Sequence, residues 1–453
     1  MRRSKAFFIL LLSFLLCSCS MPIDSQDTES LSYEELLFDT SYVHKINVEI
    51  SDEDWNDLLE NPKDKTKYHV NVTVDGQRYE DVSFATKGNI SLDAIAKKEN
   101  QIRYSFKINF TKFNKDSDYH GLNKLHLNNG YCDATYMKDY LSYRVLAEAG
   151  VKTPLCSYVW LTINGKDFGL YQAIEEVGKS WLKRNDLGDG ALYKPEYEDS
   201  YRGFHSSSLV YTDDEIGSYP EIFNNNETPV DDQDKHRLIG ILKAMNERND
   251  LEEYLDTEEI IRYFVGHNYV GNYDSYTGNM LHNYYLYEKD GKLSVYPWDY
   301  NLAFGGFQTG KTIDYVNIGI DTPLRNLKDE EQRPLWTWIA QDDEYLQRYH
   351  EIFDELLRSY FESGRCEEEI DTISRMIRSY VEKDPTAFFD VERFDKAIAT
   401  LKIYCSKRTQ SIRKQLNNGL STVTELQEDA DKIPVNDLVI SLMGQYGSRF
   451  FNR

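Results

Sequence analysis

Short segments in the first part of the chain alternate apolar and polar residues, which is the period of a β-strand. Residues 42–50, 68–74 and 82–86 follow this pattern, and Asn164-Gly165 joins two further segments in a predicted hairpin. The strictest alternation covers residues 102–110. One face of this predicted strand carries Ile102, Tyr104, Phe106, Ile108 and Phe110, and the other carries Arg103, Ser105, Lys107 and Asn109.

Further along the chain, apolar residues recur at intervals of three and four, which predicts helices. The first main helix is predicted over residues 135–149, with Gly150 as its C-cap. Helical patterns then dominate residues 230–245, 257–269 and most of 342–416. A sheet-rich part followed by a helix-rich part predicts an α+β protein with two lobes around a cleft.

A second hairpin is predicted over residues 283–296, and a carboxylate lies on each side of it. Asp274 precedes the hairpin in a polar loop, and Asp299 follows it. Because a short turn forces two strands to pair antiparallel, these carboxylates are expected to lie close together. With Asn279 or Asn283 they would form an oxygen-rich site for a divalent cation beside a phosphate. The structural alternative is that both aspartates only stabilise local turns.

The chain begins with a basic stretch, an apolar run and small residues, which is the pattern of an export signal. Residues 1–18 are predicted to be a lipoprotein signal peptide. Cys19 would then become the lipid-modified N-terminus, and residues 19–36 a tether to the membrane. These features predict an exported bacterial lipoprotein of the cell envelope. An ordinary cleaved signal with incidental cysteines is the alternative.

The net charge of the chain limits the classes of ligand that it is expected to bind. The chain has 52 basic and 76 acidic residues among 453, for a formal net charge of −24. Nucleic-acid binding needs clustered basic residues that replace phosphate counterions, so this balance argues against it. On this ground the sequence predicts proteins, sugars or metal-bound nucleotides as partners.

Four cysteines remain after the predicted signal. They are widely spaced and form no CxxC pattern, which argues against a zinc site. Export permits disulfides, and either the first two or the last two could pair; buried free thiols are an equally good interpretation. The four are Cys132, Cys156, Cys366 and Cys405.

Two segments of the sheet-rich part are candidate phosphate sites. Lys87-Gly88-Asn89 follows a predicted strand, and such a loop can present backbone amides to phosphate oxygens. Arg103 and Lys107 share one face of their predicted strand and could grip a phosphate together. The alternatives are an ordinary turn for the loop and a solvated sheet face for the strand.

Several motifs, in order along the chain, resemble those of the CotH kinase family. The resemblance covers roughly residues 42–416 and implies an atypical protein-kinase-like fold with two lobes. It places a sheet-rich N-lobe at residues 37–178 and a mainly helical C-lobe at 179–420, and leaves 421–453 unassigned. The motifs are Lys87-Gly88-Asn89 with Ser91, RYSFKINF from Arg103, Gly169-Leu170-Tyr171 leading to Glu175, Leu192-Tyr193-Lys194, and NYYLY followed by PWDYNLAFGG.

The resemblance assigns roles around the second hairpin. Asp299 would hold Mg²⁺ or Mn²⁺, and Asp274 would orient the acceptor hydroxyl. Asn283 is favoured over Asn279 as the metal-binding asparagine, because it directly precedes the Tyr-Tyr-Leu-Tyr run. Asn301 stands where some relatives have a second acid, so it could ligate a metal without contributing charge.

The ATP-binding residues implied by the resemblance lie in the sheet-rich part: Lys87, Asn89, Arg103, Lys107 and Glu175. Many relatives have lysine where this chain has Arg103, and arginine differs from lysine in geometry even though it binds phosphate.

The implied function is transfer of the ATP γ-phosphate to Ser or Thr hydroxyls of a surface or secreted protein. The alternative is a catalytically weak or inactive kinase-like surface module that binds protein or carbohydrate. An exported protein meets little ATP, and abundant aromatic residues suit such contacts.

Overall fold

The computed structural model describes residues 31–197, 205–307, 311–325 and 333–446. The predicted signal peptide and Cys19 lie outside the described residues. Within them, no helix is both long enough and apolar enough to cross a membrane.

Seven strands form a closed barrel in the order β1, β2, β3, β4, β5, β7, β6. All neighbouring strands pair antiparallel except β1 and β6, which pair in parallel and close the barrel. The strands are β1 (His44–Glu49), β2 (Tyr68–Val74), β3 (Gln77–Lys87), β4 (Ser105–Asn109), β5 (Lys124–Asn128), β6 (Cys156–Ile163) and β7 (Lys166–Glu175).

The alternation seen in the sequence places apolar side chains in the barrel core. Tyr104, Phe106, Ile108 and Phe110 are all buried, as predicted, whereas Ile102 is 37% exposed. Burial of such side chains contributes roughly 1.5–3 kcal/mol each. The barrel is therefore a hydrophobic core enclosed by its own sheet.

A small antiparallel sheet of order β10, β9, β8 follows the barrel in the chain. Its strands are β8 (Ala191–Tyr193), β9 (Tyr284–Lys289) and β10 (Lys292–Pro297). The hairpin of β9 and β10 is the one predicted from the sequence. Its turn has positive φ at Asp290 and Gly291, which a two-residue connection between twisted strands requires.

Helices make up most of the rest of the chain. Several helices begin at a residue whose side chain caps the first turn. Ser51 accepts from the Asp54 amide, and Asp390 accepts from the Arg393 amide. The helices are α1 (Tyr33–Leu36), α2 (Asp52–Glu60), α3 (Ile90–Ala96), α4 (Lys138–Glu148), α5 (Lys179–Arg184), α6 (Pro220–Phe223), α7 (Asp232–Glu247), α8 (Leu251–Tyr254), α9 (Thr257–Val270), α10 (Thr312–Asn317), α11 (Pro334–Ala340), α12 (Asp343–Leu356), α13 (Arg365–Lys383) and α14 (Val391–Leu416).

The prediction of a mixed α+β protein, with sheet first and helix later, is confirmed. Closure of the barrel was not predicted, because it needs β5, a five-residue strand whose period is weak, and the long-range pairing of β1 with β6. Helix α3 begins at Ile90, directly after the predicted loop Lys87-Gly88-Asn89, and was not predicted.

The ends of the described chain pack on its body. Helix α1 lies inside the predicted tether, and the Tyr33 hydroxyl donates to Glu175. Residues 421–446, which the sequence left unassigned, include two short 3₁₀ turns, Thr424–Leu426 and Ile440–Met443. All four cysteines after residue 30 are buried free thiols, so neither disulfide is present.

Candidate functional site

A cavity of about 380 Å³ is lined by barrel residues on one side and by the segments flanking β9 and β10 on the other. Five of its side chains are lysines, although the chain as a whole carries a charge of −24. This concentration of positive charge beside carboxylates suits a polyanion that brings a cation with it. The charged residues lining the cavity are Lys65, Lys67, Lys87, Lys107, Lys194, Glu196, Asp274 and Asp299.

The β9–β10 hairpin brings Asn283 and Asp299 to the same end of the small sheet. Tyr284 pairs with Pro297 in the ladder, and the Trp298 amide donates to the Asn283 carbonyl oxygen over 3.3 Å. Asn283 and Asp299 have φ of 59° and 50°. Non-glycine residues seldom adopt this left-handed region, and such strain is concentrated at functional sites.

Asp274 lies at the same cavity, as the hairpin geometry predicted. The Asn283 amide nitrogen donates to the Asp274 backbone oxygen over 2.7 Å and to its carboxylate over 3.3 Å. His282 Nε2 lies 2.9 Å from Asp274 Oδ1. Burial would lower the pKa of His282, but the hydrogen bond and charge of Asp274 raise it overall. The Asp274 carboxylate is therefore held between an imidazole and an amide.

A second carboxyl group, that of Asp139, is fully buried near Asp299. The Asp139 carboxylate accepts from the Tyr300 amide over 2.8 Å and from the Asn128 side chain over 3.1 Å. Burial, followed by the nearby charge of Asp299, raises the pKa of Asp139 to about 7. Burial also raises the pKa of Asp299, although Lys87 opposes this shift. A positive charge added in the cavity would therefore stabilise the ionised forms of Asp139 and Asp299.

The donor set of the cavity fits a metal that is bound together with phosphate. Asp299 Oδ1 is buried and receives no hydrogen bond from any described residue. Across residues 31–197, 205–307, 311–325 and 333–446, no three His, Cys, Asp or Glu side chains are grouped to hold a metal alone. Mg²⁺ commonly uses one or two protein oxygens and completes its shell with phosphate and water. Asp299 and Asn283 are the residues whose side-chain oxygens fit this pattern.

Lys107 reaches the cavity from the middle of β4. Its Nζ lies 2.6 Å from Glu176 Oε2, and Lys124 Nζ lies 2.6 Å from Glu176 Oε1. His126 Nε2 also contacts Glu176, over 2.9 Å. Burial alone would raise the pKa of Glu176, but the hydrogen bond from His126 and the two lysines lower it well below its usual range. Glu176 therefore fixes the cationic face of the cavity.

The structure does not place Arg103 at the cavity. Its side chain is fully buried, and its guanidinium bonds to Asp384 over 2.9 Å and to the Asn129 carbonyl oxygen over 2.8 Å. Its guanidinium carbon also lies 4.6 Å from the centre of the Tyr171 ring. The expectation that Arg103 and Lys107 face one phosphate is thus corrected: Arg103 precedes β4 and turns toward the helical part.

Glu175 is also away from the cavity. It is fully buried and accepts from Arg184 over 2.7 Å and from Tyr33 over 2.5 Å. Its neighbour Glu176 is the residue that contacts Lys107. The two glutamates differ in this way because successive residues at the end of a strand point in opposite directions.

The other predicted residues divide between the cavity and the surface. Asn89 and Asn301 line the cavity, and Asn89 accepts from Lys65 over 2.7 Å. Asn279 is exposed and is absent from the cavity lining, whereas Asn283 lines it. The position of Asn283 agrees with the preference for it over Asn279.

Sequence reasoning missed several residues of the site. Lys194 stands within a quoted motif, Leu192-Tyr193-Lys194, which was a usable signal for its place at the cavity. His282 directly precedes Asn283, so its proximity could also have been inferred. Asp139 and Lys65 come from the first turn of α4 and from a loop before β2, and nothing local marks them as site residues.

Comparison with known proteins shows the family of the chain. The family model described as "CotH kinase protein" matches residues 84–412, which is well over half of the chain. The inner spore coat protein H of Bacillus subtilis (strain 168) is 27% identical over 312 residues. That alignment covers 67% of this chain and 82% of the relative. The matched region contains Lys87, Lys107, Asp274 and Asp299, and the chain belongs to the CotH kinase family.

Proposed function

We propose that the protein transfers the γ-phosphate of ATP to Ser or Thr hydroxyls of a surface or secreted protein. The observation that carries this proposal is a cavity in which lysines face Asp274, Asp299 and Asn283. Phosphoryl transfer needs little covalent chemistry from the protein. Positioning and charge neutralisation supply most of its acceleration, and this cavity offers both.

Each side of the cavity has a distinct task in this proposal. Lys87 and Lys107 neutralise the nucleotide phosphates, and Glu176 holds Lys107 in place. Asp299 and Asn283, with Asn301 beside them, hold Mg²⁺ or Mn²⁺. The metal, when bound, orients the phosphates and offsets their charge.

The reaction itself takes place at Asp274. This carboxylate accepts a hydrogen bond from the acceptor hydroxyl and aligns its oxygen with the γ-phosphorus. A bond forms between that oxygen and phosphorus while the bond to the bridging β–γ oxygen breaks, so ADP leaves. The hydroxyl proton passes to Asp274, whose position is fixed by His282 and Asn283.

The proposal also covers the two-lobed, kinase-like arrangement. The barrel and its flanking helices, residues 37–178, correspond to the sheet-rich lobe, and residues 179–420 to the mainly helical one. The cavity draws residues from both, as a nucleotide cleft between lobes requires.

Location at the cell envelope is part of the same proposal. The relative's name places that protein in the spore coat. For this chain, lipid attachment at Cys19 would tether the cavity outside the cell. Replacing Cys19 with Ala should move the protein from the membrane fraction to the soluble fraction; unchanged membrane association in this variant argues against the lipid anchor.

Two variants test the enzymatic proposal. Purified protein is incubated with labelled ATP, Mg²⁺ or Mn²⁺ and a Ser-rich protein, and transferred label is counted. Asp274→Ala should abolish transfer while nucleotide still binds, and Asp299→Ala should abolish metal-dependent nucleotide binding. Asn279→Ala, at an exposed position outside the cavity, is the matched control. Nucleotide affinity that survives in Asp299→Ala contradicts the metal assignment, and binding without any transfer favours the inactive surface module.

A further inference from the structure

The last described residues of the chain return to the cavity. We name residues 438–446 the C-terminal strap. They lie beyond the matched family region, which ends at residue 412, yet Tyr446 lines the cavity. A part of the chain that the family model does not include therefore forms a wall of the proposed nucleotide site.

The strap contacts the loop of residues 300–307, which follows Asp299. The Tyr446 amide donates to the Gly306 carbonyl oxygen over 2.8 Å, and Gln445 Nε2 donates to the Gly305 carbonyl oxygen over 2.8 Å. The ring of Tyr446 is nearly parallel to that of Phe307, at 8°, with ring centres 6.2 Å apart. Two adjacent carbonyl groups of the loop thus have their partners in the strap.

Close packing supports the same contact. Gly305 has φ of +75°, and a Cβ at this position would come within 2.9 Å of Ile440 Cγ2. Ile440 is itself buried. Glycine at residue 305 therefore allows both the turn of the loop and the approach of the strap.

The first turn of α4 binds the strap and the loop together. Lys138 Nζ, fully buried, donates to the Gly444 carbonyl oxygen over 2.7 Å. The next residue, Asp139, accepts from the Tyr300 amide over 2.8 Å. The strap is further fixed by the Ala134 amide, which donates to the Met443 carbonyl oxygen over 3.0 Å.

We propose that the C-terminal strap is a positioning element of the site: it holds the loop of residues 300–307 so that Asn301 and Phe307 face the cavity. Its effect on nucleotide binding rests on the proposed function. A loop with two consecutive glycines has many accessible conformations, so ordering it on ligand binding costs conformational entropy. Bonds to the strap fix the loop beforehand, so the ligand does not have to offset that cost. Gln445 and Tyr446 are positioning residues in this view, acting through the loop.

The first test measures the loop without ligand. Amide hydrogen exchange of residues 302–307 is compared between the full chain and the double variant Gln445→Ala/Tyr446→Pro, which removes both the side-chain donor of Gln445 and the backbone donor of Tyr446. Exchange there should accelerate by about tenfold or more, because the loop opens locally, while exchange in the barrel strands stays the same. Phe113→Ala is the matched control, since the Phe113 ring stacks on His69 with centres 3.5 Å apart in the barrel part of the chain, away from the cavity. Unchanged exchange in the double variant overturns the proposal.

The second test measures affinity for ATP with Mg²⁺. The double variant should bind ATP about five to ten times more weakly, with an unchanged thermal unfolding midpoint. The single variant Tyr446→Phe, which keeps Gln445, should retain most of the wild-type affinity. Faster exchange with unchanged affinity, in a wild-type protein that does bind ATP, overturns the role in the site. If the wild type binds no nucleotide, the proposed function fails, and the exchange result alone decides whether the strap positions the loop.

Discussion

Arg103 and Lys107 lie four residues apart in the sequence, yet their surroundings differ in every respect that matters for function. Arg103 is fully buried and pairs with Asp384, whose side chain is also fully buried. The Lys107 side chain is 35% exposed, lines the cavity and shares Glu176 with Lys124 and His126. One cation joins parts of the fold, and the other is available to a ligand.

The difference shows what kind of basic residue can serve a ligand. The Arg103 guanidinium has several donors in a rigid fork, and protein oxygens already accept from them, among them Asp384, Asn129 and Thr386. Lys107 has one carboxylate partner, which Lys124 and the His126 imidazole also contact. A phosphate can therefore approach Lys107 without leaving a buried carboxylate uncompensated.

The largest expected effect comes from breaking the buried pair. Asp384→Ala leaves the Arg103 guanidinium buried without its counter-charge, which should lower the free energy of unfolding by about 3–5 kcal/mol. Denaturant unfolding followed by circular dichroism measures this. The control is Asp395→Ala, because Arg378 and Asp395 form an exposed pair at 2.7 Å; its loss should change stability far less, since solvent screens an exposed ion pair. Equal losses in the two variants would show that the buried pair has no special weight.

The free energy of unfolding should depend on pH through the cluster around Glu176. Burial and the charge of Lys87 lower the pKa of His126 to about 3. The unfolded chain therefore takes up a proton at this imidazole below about pH 6.5 while the folded chain does not, so stability falls as pH drops from about 6.5 towards 3. One such group changes the free energy of unfolding by at most about 1.4 kcal/mol per pH unit.

Replacing His126 with Gln should remove this part of the slope. Unfolding free energies of the wild type and His126→Gln are compared from pH 7 to pH 4. Glu176 acts in the same direction, since its pKa is lowered and its contribution is lost only as pH falls below its unfolded value near 4. Parallel pH profiles for the two proteins would show that His126 is already charged when the protein is folded.

Lys107→Met tests the cavity side of the comparison. It should weaken binding of ATP with Mg²⁺ by about tenfold or more, because a hydrogen bond to a charged group contributes about 1.5–3 kcal/mol. Stability should change little, since Glu176 keeps Lys124 and His126 as partners. Isothermal titration calorimetry measures the affinity. An unaltered affinity would remove Lys107 from the proposed phosphate site.

The smallest effect is expected at Lys124, which is a close match for Lys107. Its side chain is 33% exposed and it pairs with the same carboxylate at the same 2.6 Å, but it does not line the cavity. Lys124→Met should therefore change the affinity for ATP by less than about twofold. A loss as large as that of Lys107→Met would mean that both lysines act only by orienting Glu176.

The elements that follow a local period were predictable. The alternation of residues 104–110 gave the buried face of β4, and the turn at Asp290-Gly291 gave the β9–β10 hairpin that brings Asp299 beside Asn283. The location of Asp274 at the same cavity followed from the same hairpin. Their roles in phosphoryl transfer stay predictions.

The partners of buried charges were not predictable. Arg103 and Lys107 have the same period along the chain, but Arg103 meets a carboxylate 281 residues away. Similarly, Glu175 and Glu176 look equivalent in sequence, and only the packing of α1 and α5 against β7 assigns the first to Tyr33 and Arg184. The strand period shows that such neighbours point to opposite sides, but it does not encode what each side meets.

The sequence by itself therefore determined the α+β class, the order of sheet and helix, and the hairpin that gathers the acidic residues. These features depend on side-chain periodicity and turn chemistry, which act between residues close in the chain. Tertiary structure alone decided the closure of the barrel by β1 and β6, the burial of Arg103 and the return of residues 438–446 to the cavity. Each of these depends on the free energy of contacts between distant segments, which only the assembled fold brings together.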